Sequence, residues 1–530
     1  MLQEPVAAVK RKGGILRNAF TVGAFTALSR VLGLVREMMQ SRLIGAGVEQ
    51  SAFTMAFAIP NMARKLFGEG ALTAAFVPVF KGTVETDSLE QAARLARSVM
   101  TMVLLMLGAF VVLAFGALGV FAGMHQSMGV EDVERFTLTV GLVRTLLPYM
   151  LFICGAAFGM GVLNSLGRFR ASSFMPCLLN LCWIGVLCWL SFFPELGLDQ
   201  RIRRVAVAIL AAGGLQMAFL MWRMHVAGVT PRLSFKGWRD PKVRLVWRNL
   251  GVAALGAGAV QLNYLLDQIL AYCASPWAAG VIGYAERLMD LPLGIVGVAF
   301  GTVLLPTFSG LFARGDIEGA RDAMRSSVQS LMFVMLPAAA GLFVLAPEVT
   351  GVIYQGGAFG SEATTRVARA LAVYSLGLAF FGFTKSLVPW FQAQNDMKTP
   401  LRVSLATVVM NATLNIAAVV LLPEEWRHVG LAASTVVCAA AGCALLAVFA
   451  RRKNGCLGLA PAAKPVAAMF AASLVMAAAL VAIRPLVASW NQVFSLAALV
   501  TAGAAVYAVA MLAMLRGRVK TLVRRRRRSA

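Results

Sequence analysis

From about residue 15 to about residue 516 the chain repeats one pattern, a long run of mostly apolar residues followed by a short polar break. A helix that crosses a bilayer needs about 20 apolar residues, because its backbone polar groups must be satisfied within the segment itself. About fourteen segments meet that requirement: 20–44, 52–80, 95–122, 136–163, 172–193, 204–224, 248–273, 278–309, 326–347, 367–391, 402–422, 429–450, 465–487 and 493–515. No segment between them is long enough for a soluble catalytic domain, and the longest, 225–247, is basic and amphipathic. The pattern predicts an all-α integral membrane protein.

The polar breaks repeat as well. FVPVFKGTVETDSLEQAARLARSV from Phe76 and LLPTFSGLFARGDIEGARDAMRSSV from Leu304 set Pro78/Pro306, Phe80/Phe308, Glu90/Glu318, Ala92/Ala320 and Ser98/Ser326 at one constant offset. Two pseudo-symmetric six-helix bundles follow, at 1–228 and 229–455, with two additional helices and a basic tail at 456–530. Internal repeats of this kind typify transporters, whose substrate site lies near the membrane midplane between the halves.

Composition adds an orientation. Hydrophobic residues make up 59% of the chain and charged residues 14%, yet 49 Lys and Arg stand against 24 Asp and Glu, a formal charge of +25. With the N-terminus inside, the cations collect in the inner segments: Lys10 to Arg17, Arg94 and Arg97, Arg223 to Arg248, Arg314 to Arg325, Arg451 to Lys453 and Arg516 to Arg528. That is the bias of cytoplasmic loops, and an even number of spans puts both termini in the cytoplasm. The positive charge is therefore a topology signal, and the run Arg524 to Arg528 reads as an anchor for anionic lipid, not a nucleic-acid site. The first apolar run is interrupted by arginines and lacks a small-residue cleavage site, so it reads as a retained span. Eight cysteines lie almost entirely within apolar runs, with no CxxC pair and no neighbouring His, which reads as reduced packing residues and identifies no metal site.

Against this background some spans carry charge where lipid would exclude it: Arg30, Arg36 and Glu37 in the first, Arg64, Lys65 and Glu69 in the second, Glu286, Arg287 and Asp290 in the eighth. An arginine at the centre of a span costs roughly 2.5 to 3.5 kcal/mol on insertion, so several together should line a hydrated cavity. Arg30 and Arg36 lie about 9 Å apart along a helix and are turned by roughly 240°, too far for one stripe but suited to a wide cavity. Lys65, Arg144 and Lys385 read better as snorkelling or structural cations. Pro60 should free a backbone carbonyl in the second span, and Gly68 and Gly70 loosen the same helix. With Gly33 and Pro292 they are the candidate hinges.

Unmatched arginines call for an anionic cargo, and guanidinium forks suit phosphate or diphosphate oxygens. A drug-cation exporter would want the opposite sign. A lipid-linked diphosphate fits, since its head group needs a polar cavity while its tail stays in the bilayer. A membrane enzyme acting on such a lipid should show metal-binding acids or a catalytic His, but His125, His225 and His428 fall near loops, so the chain reads as a transporter without a cofactor. No phosphate-binding Walker loop points to ATP hydrolysis. Asp267, in QLNYLLDQ with Gln261 and Asn263 nearby, is a candidate for Na⁺ or proton coupling, beside a purely structural role. The membrane potential acting on a cationic cavity is a third source of drive.

SRVLGLVRE followed by GAG, AFAIPNMARKLFGEGALTAAFVPVF, GVLNSLGRF, YAERLMDLPLGIVGVAFGTVLLP and FQAQNDMKTP resemble, in order, the MurJ/MviN family of lipid II flippases, in the multidrug/oligosaccharidyl-lipid/polysaccharide exporter superfamily. The resemblance implies a fourteen-helix protein of the bacterial inner membrane that moves the undecaprenyl-diphosphate-linked peptidoglycan precursor from the cytoplasmic to the periplasmic leaflet. It implies that Arg30, Arg36, Arg64 and Arg287 are substrate-binding, that Glu69 is the acid of the second-span motif, and that the C-terminal helix pair helps to form a groove for the lipid tail; Glu37, Glu286 and Asp290, beside the arginines, join Glu69 as candidates for charge pairs or gates. Membrane lipids and cell-wall synthesis proteins are the implied partners, with no nucleic acid. Ser51 stands where many relatives carry an acid, and Glu49, two residues earlier, is the candidate substitute. The rival cargo is another undecaprenyl-diphosphate oligosaccharide, such as an O-antigen or capsule unit.

Overall fold

The computed structural model describes residues 4–66, 71–123, 130–301 and 303–528. Gly68, Glu69 and Gly70 lie outside them, as do the side chains of the basic stretches 10–17 and 516–528. The described residues form α1 (Glu4–Ile44), α2 (Val48–Ala63), α3 (Ala71–Thr86), α4 (Leu89–Gly123), α5 (Val130–Leu146), α6 (Tyr149–Ser165), α7 (Phe169–Leu190), α8 (Leu198–Val226), α9 (Pro241–Ala274) and α10 (Ala278–Gly301). They continue through α11 (Leu304–Ala313), α12 (Ile317–Val344), α13 (Ala346–Tyr354), α14 (Ser361–Leu376), α15 (Leu378–Gln392), α16 (Lys398–Leu421), α17 (Glu424–Asn454), α18 (Ala460–Ile483) and α19 (Gln492–Arg528).

Nine helical segments among the described residues are long and apolar enough to cross a membrane, and α14 with α15, bent by 44°, makes a tenth. The protein is an all-α membrane protein. The expected count of about fourteen exceeds that number. The expected span 52–80 is carried by two helices of 16 residues, α2 and α3. Pro60 sits inside α2, which ends three residues later and gives way to a π-type turn at Arg64–Leu66. Pro292 likewise sits inside α10, which continues to Gly301.

The chain divides into two compact units, residues 1–272 with 356–359, and 273–355 with 360–530. The first unit keeps α9 through polar contacts near its two ends. Lys242 pairs with Asp87 and holds that carboxyl below its ordinary range, and the Trp247 indole N–H points at Met102 Sδ (3.2 Å). At the far end the Arg135 guanidinium covers the Tyr272 ring at 3.8 Å, while the Tyr272 hydroxyl meets Thr139 Oγ1 at 2.8 Å. The short segment 356–359 packs against the end of α1. Ala358 N–H donates to Arg42 O (2.8 Å), Phe359 is fully buried, and Gly357, at φ +56°, lies so close that a Cβ would meet Arg42 O at 2.3 Å.

The second unit centres on Trp390, fully buried, with Phe308 and Phe312 edge-on at 5.4 and 4.9 Å. Its indole N–H donates to Asn454 Oδ1 (3.2 Å), and the Asn454 amide donates to Gln394 Oε1 (2.9 Å). Beside them Asp396 accepts from Lys453 Nζ (2.8 Å) and from the backbone and hydroxyl of Thr399, which hold its carboxyl down at about 2. The FQAQND turn is thus clamped to the end of α17. The C-terminal helices pack on this unit too, with Tyr507 donating to Phe333 O at 3.1 Å.

The repeat is visible in burial. Phe80 and Phe308 are fully buried, as are Ala92 and Ala320, while Pro78/Pro306 and Glu90/Glu318 are exposed. Ser88 and Asp316, at the same offset, cap the first turns of α4 and α12 through Gln91 N (3.2 Å) and Gly319 N (2.8 Å). The correspondence lapses at Ser98, buried, against Ser326, exposed. Of the eight cysteines, Cys154, Cys177, Cys438 and Cys443 are buried, as packing residues should be, Cys182 is half-buried, and Cys188, Cys273 and Cys456 are exposed.

Candidate anion-binding site

Arg36 is the best-defined of the arginines in the spans. Its side chain is only 12% exposed, and its Nη1 donates to Asn180 Oδ1 on α7 at 2.9 Å while Nη2 pairs with Glu37, itself 15% exposed. The guanidinium plane lies 4.3 Å from the centre of the Trp183 ring, one turn along α7 from Asn180. Both partners are themselves fixed. The Asn180 amide donates to Ser29 O (3.0 Å), the Trp183 indole N–H donates to Gln40 Oε1 (2.8 Å), and Gln40 donates to Gln50 Oε1 (2.9 Å). Gln40 and Gln50 are 2% and 6% exposed, so this chain of bonds runs through a medium of low polarity, where it fixes the indole firmly.

An aromatic group extends from the Trp183 ring that Arg36 covers. Phe57 packs edge-on against Trp183 at 5.8 Å and tilted against Tyr149 at 6.0 Å. Tyr149 is fully buried, and its hydroxyl has no hydrogen-bond partner among the described residues. Arg64, at the π-type turn after α2, directs Nε and Nη2 to Asn61 Oδ1 at 3.3 and 3.1 Å. A guanidinium bonded to a neutral amide of its own turn forms stronger, charge-assisted bonds with an anion. Arg36 Nε, buried, likewise finds no acceptor among the described residues.

Arg30 is exposed on α1, and Gly33 lies between the two arginines with Asn180 Nδ2 3.8 Å from where its Cβ would stand. Lys65 Nζ lies over the Tyr264 ring of α9 at 4.6 Å. Asp267, one turn further along α9, is half-buried and accepts from Asn263 at 3.0 Å. Arg287 belongs to the second unit, where it and Asp290 are exposed on α10 and Glu286 is half-buried. Arg144 and Lys385 are exposed. Ser51 is fully buried and its hydroxyl is without a partner among the described residues, so the neutral side chain there adds no charge beside Gln50. No group of three His, Cys, Asp or Glu able to hold a metal ion occurs among the described residues.

Asn180, Trp183, Tyr149, Gln40 and Gln50 were not legible as site residues, since each is ordinary in a membrane helix taken alone. A signal existed in α7, where Asn180 and Trp183 fall one turn apart in an otherwise apolar run.

The family model described as lipid II flippase MurJ matches residues 40–515. A probable lipid II flippase MurJ from Rhizobium tropici is 33% identical over 78% of this chain and 77% of its own length. The lipid II flippase MurJ of Burkholderia cenocepacia is 31% identical over 83% and 84%. Among solved structures, an inward closed conformation of lipid II flippase MurJ superposes with a TM-score of 0.75 at 22% identity, covering 94% of this chain and 99% of that one. An inward-facing transporter of the multidrug resistance MATE family reaches 0.64 at 14% identity, covering 81% and 95%.

Proposed function

The chain belongs to the MurJ family of lipid II flippases, and on that premise we propose that it carries lipid II across the bacterial inner membrane, from the cytoplasmic to the periplasmic leaflet, by alternating access. It works as a transporter, not an enzyme. The observation that carries the reading to particular residues is Arg36, a nearly buried guanidinium over the Trp183 ring with an N–H unanswered among the described residues. A diphosphate oxygen is the acceptor such a group lacks, and charge-assisted bonds of this kind are about twice as strong as neutral ones.

In this proposal Arg30, Arg36, Arg64 and Arg287 bind the diphosphate. Glu37, Glu69, Glu286 and Asp290 balance those cations when no cargo is present. Cargo charge replaces that balance and favours the state in which the cavity changes access, as differential binding requires. Gly33, Pro60, Gly68, Gly70 and Pro292 give the moving helices their flexibility, and Asp267, with Asn263 bonded to it, is the candidate site of ion coupling beside the membrane potential. Residues 1–228 and 229–455 are the two moving halves, 456–530 serves the lipid tail, and both termini face the cytoplasm.

The test is depletion of the protein in its host, read with an enzyme that cleaves only outward-facing lipid II. The expected result is a fall in cleavable lipid II while total lipid II accumulates, reversed by the wild-type gene. Unchanged outward-facing lipid II in a host with no second flippase overturns the proposal. Transport of an O-antigen or capsule precursor, and not lipid II, by the purified protein would reassign the cargo.

A further inference from the structure

The basic segment after α8 has a fixed shape that the transport reading does not use. Residues 227–240 fold back on the first part of α4. Arg97 Nε donates to Thr230 O (2.9 Å), Ser234 N–H donates to Thr101 Oγ1 (2.8 Å), and Val229 is fully buried. At Gly237 the backbone presses so closely on Ser98 that a Cβ would stand 2.0 Å from Ser98 Oγ. A 3-10 turn at Lys236–Arg239 then leads into α9, where Val243, Val246 and Leu250 are buried.

What this pinned segment turns outward is apolar and basic together. Leu233, Phe235 and Trp238 are 64%, 69% and 69% exposed, and Arg232, Arg239, Arg244 and Arg248 are exposed around them. The depth of these residues follows from α4. The segment is bonded to residues 97–101, where α4 passes from Glu90, Arg94 and Arg97 into the unbroken apolar run from Val99. That boundary is the level of a bilayer's headgroups, where tryptophan is enriched and arginine meets lipid phosphate. The only exposed acid in the segment, Asp240, is engaged at the start of α9 by Lys242 N–H (2.8 Å).

We propose that residues 227–248 form a preformed binding surface for anionic phospholipid of the cytoplasmic leaflet, with Leu233, Phe235 and Trp238 inserted among the acyl chains and Arg232, Arg239 and Arg244 on the phosphates. The surface is independent of the cargo. Its effect is to hold the ends of α4, α8 and α9 at one depth.

The test uses the full-length protein in nanodiscs of phosphatidylcholine with and without phosphatidylglycerol. Lipid retained on the protein is read by native mass spectrometry, and the Trp238 signal is the fluorescence difference between wild type and W238F. The expected result is preferential retention of phosphatidylglycerol, lowered about fivefold for each cation removed in R232Q/R239Q/R244Q. Trp238 should be quenched by lipids brominated high on the acyl chain, and L233S/F235S should weaken that quenching at unchanged thermal stability. Quenching of Trp238 by aqueous iodide alone, or equal phosphatidylglycerol retention by the triple variant, overturns the proposal. Displacement of phosphatidylglycerol by lipid II from this surface does so as well, because the site then belongs to the cargo.

Discussion

Arg36→Ala, expressed at normal abundance in cells depleted of the wild-type protein, is expected to abolish the appearance of outward-facing lipid II. The guanidinium is stacked on Trp183, bonded to Asn180 and paired with Glu37, so its removal strips three partners of a fixed counterpart. Glu37, nearly buried, then loses this pairing, which itself destabilises the fold. Abundance and thermal stability must therefore be measured beside transport. Arg36→Lys separates the two effects, because it keeps the charge near Glu37 but loses the planar fork and the stacking. Lysine should restore most of the stability and little of the transport. Full transport by Arg36→Ala would remove this residue from the site.

Gly357→Ala is expected to give the largest loss of stability from the smallest added group. At φ +56° any side chain costs about 1–2 kcal/mol, and here the new Cβ also meets Arg42 O at 2.3 Å. That oxygen is backbone and already accepts from Ala358 N–H, so it cannot swing aside as a side chain would. The loss should be about 2 kcal/mol or more, read as a lowered midpoint in detergent thermal unfolding. Gly360→Ala, three residues on, is the control. Its added Cβ meets nothing within 4 Å and its φ is ordinary, so its midpoint should barely move.

The two predictions divide what the sequence makes legible from what it hides. Arg36 stands out because a charge inside an apolar run is costly whatever surrounds it, and the same argument finds Arg30, Arg64 and Arg287. Gly357 does not stand out among 49 glycines, since its demand arises from Arg42, far away in the chain. Asn180 and Trp183 are hidden for the same reason: their bonds to α1 close loops of more than 140 residues, and no local period encodes such a pairing. Helices were legible wherever apolar length alone decides them, as in α4, α7, α8 and α12. At 52–80 apolar length alone does not show that the described residues form two helices, α2 with Pro60 inside it and α3. Buried prolines act through the backbone bond they remove, which hydropathy does not register.

The uneven burial of the cysteines equips the protein with native reporter groups. Burial keeps most thiols from alkylating agents, and Cys188, Cys273 and Cys456 are the exposed ones. In the charge-derived orientation Cys273 sits at the outer end of α9, while Cys456 follows the basic Arg451 to Lys453 on the inner side. A maleimide that cannot cross membranes therefore distinguishes the two faces in intact cells without any engineered residue, and the order of modification before and after permeabilisation maps the sidedness of the chain.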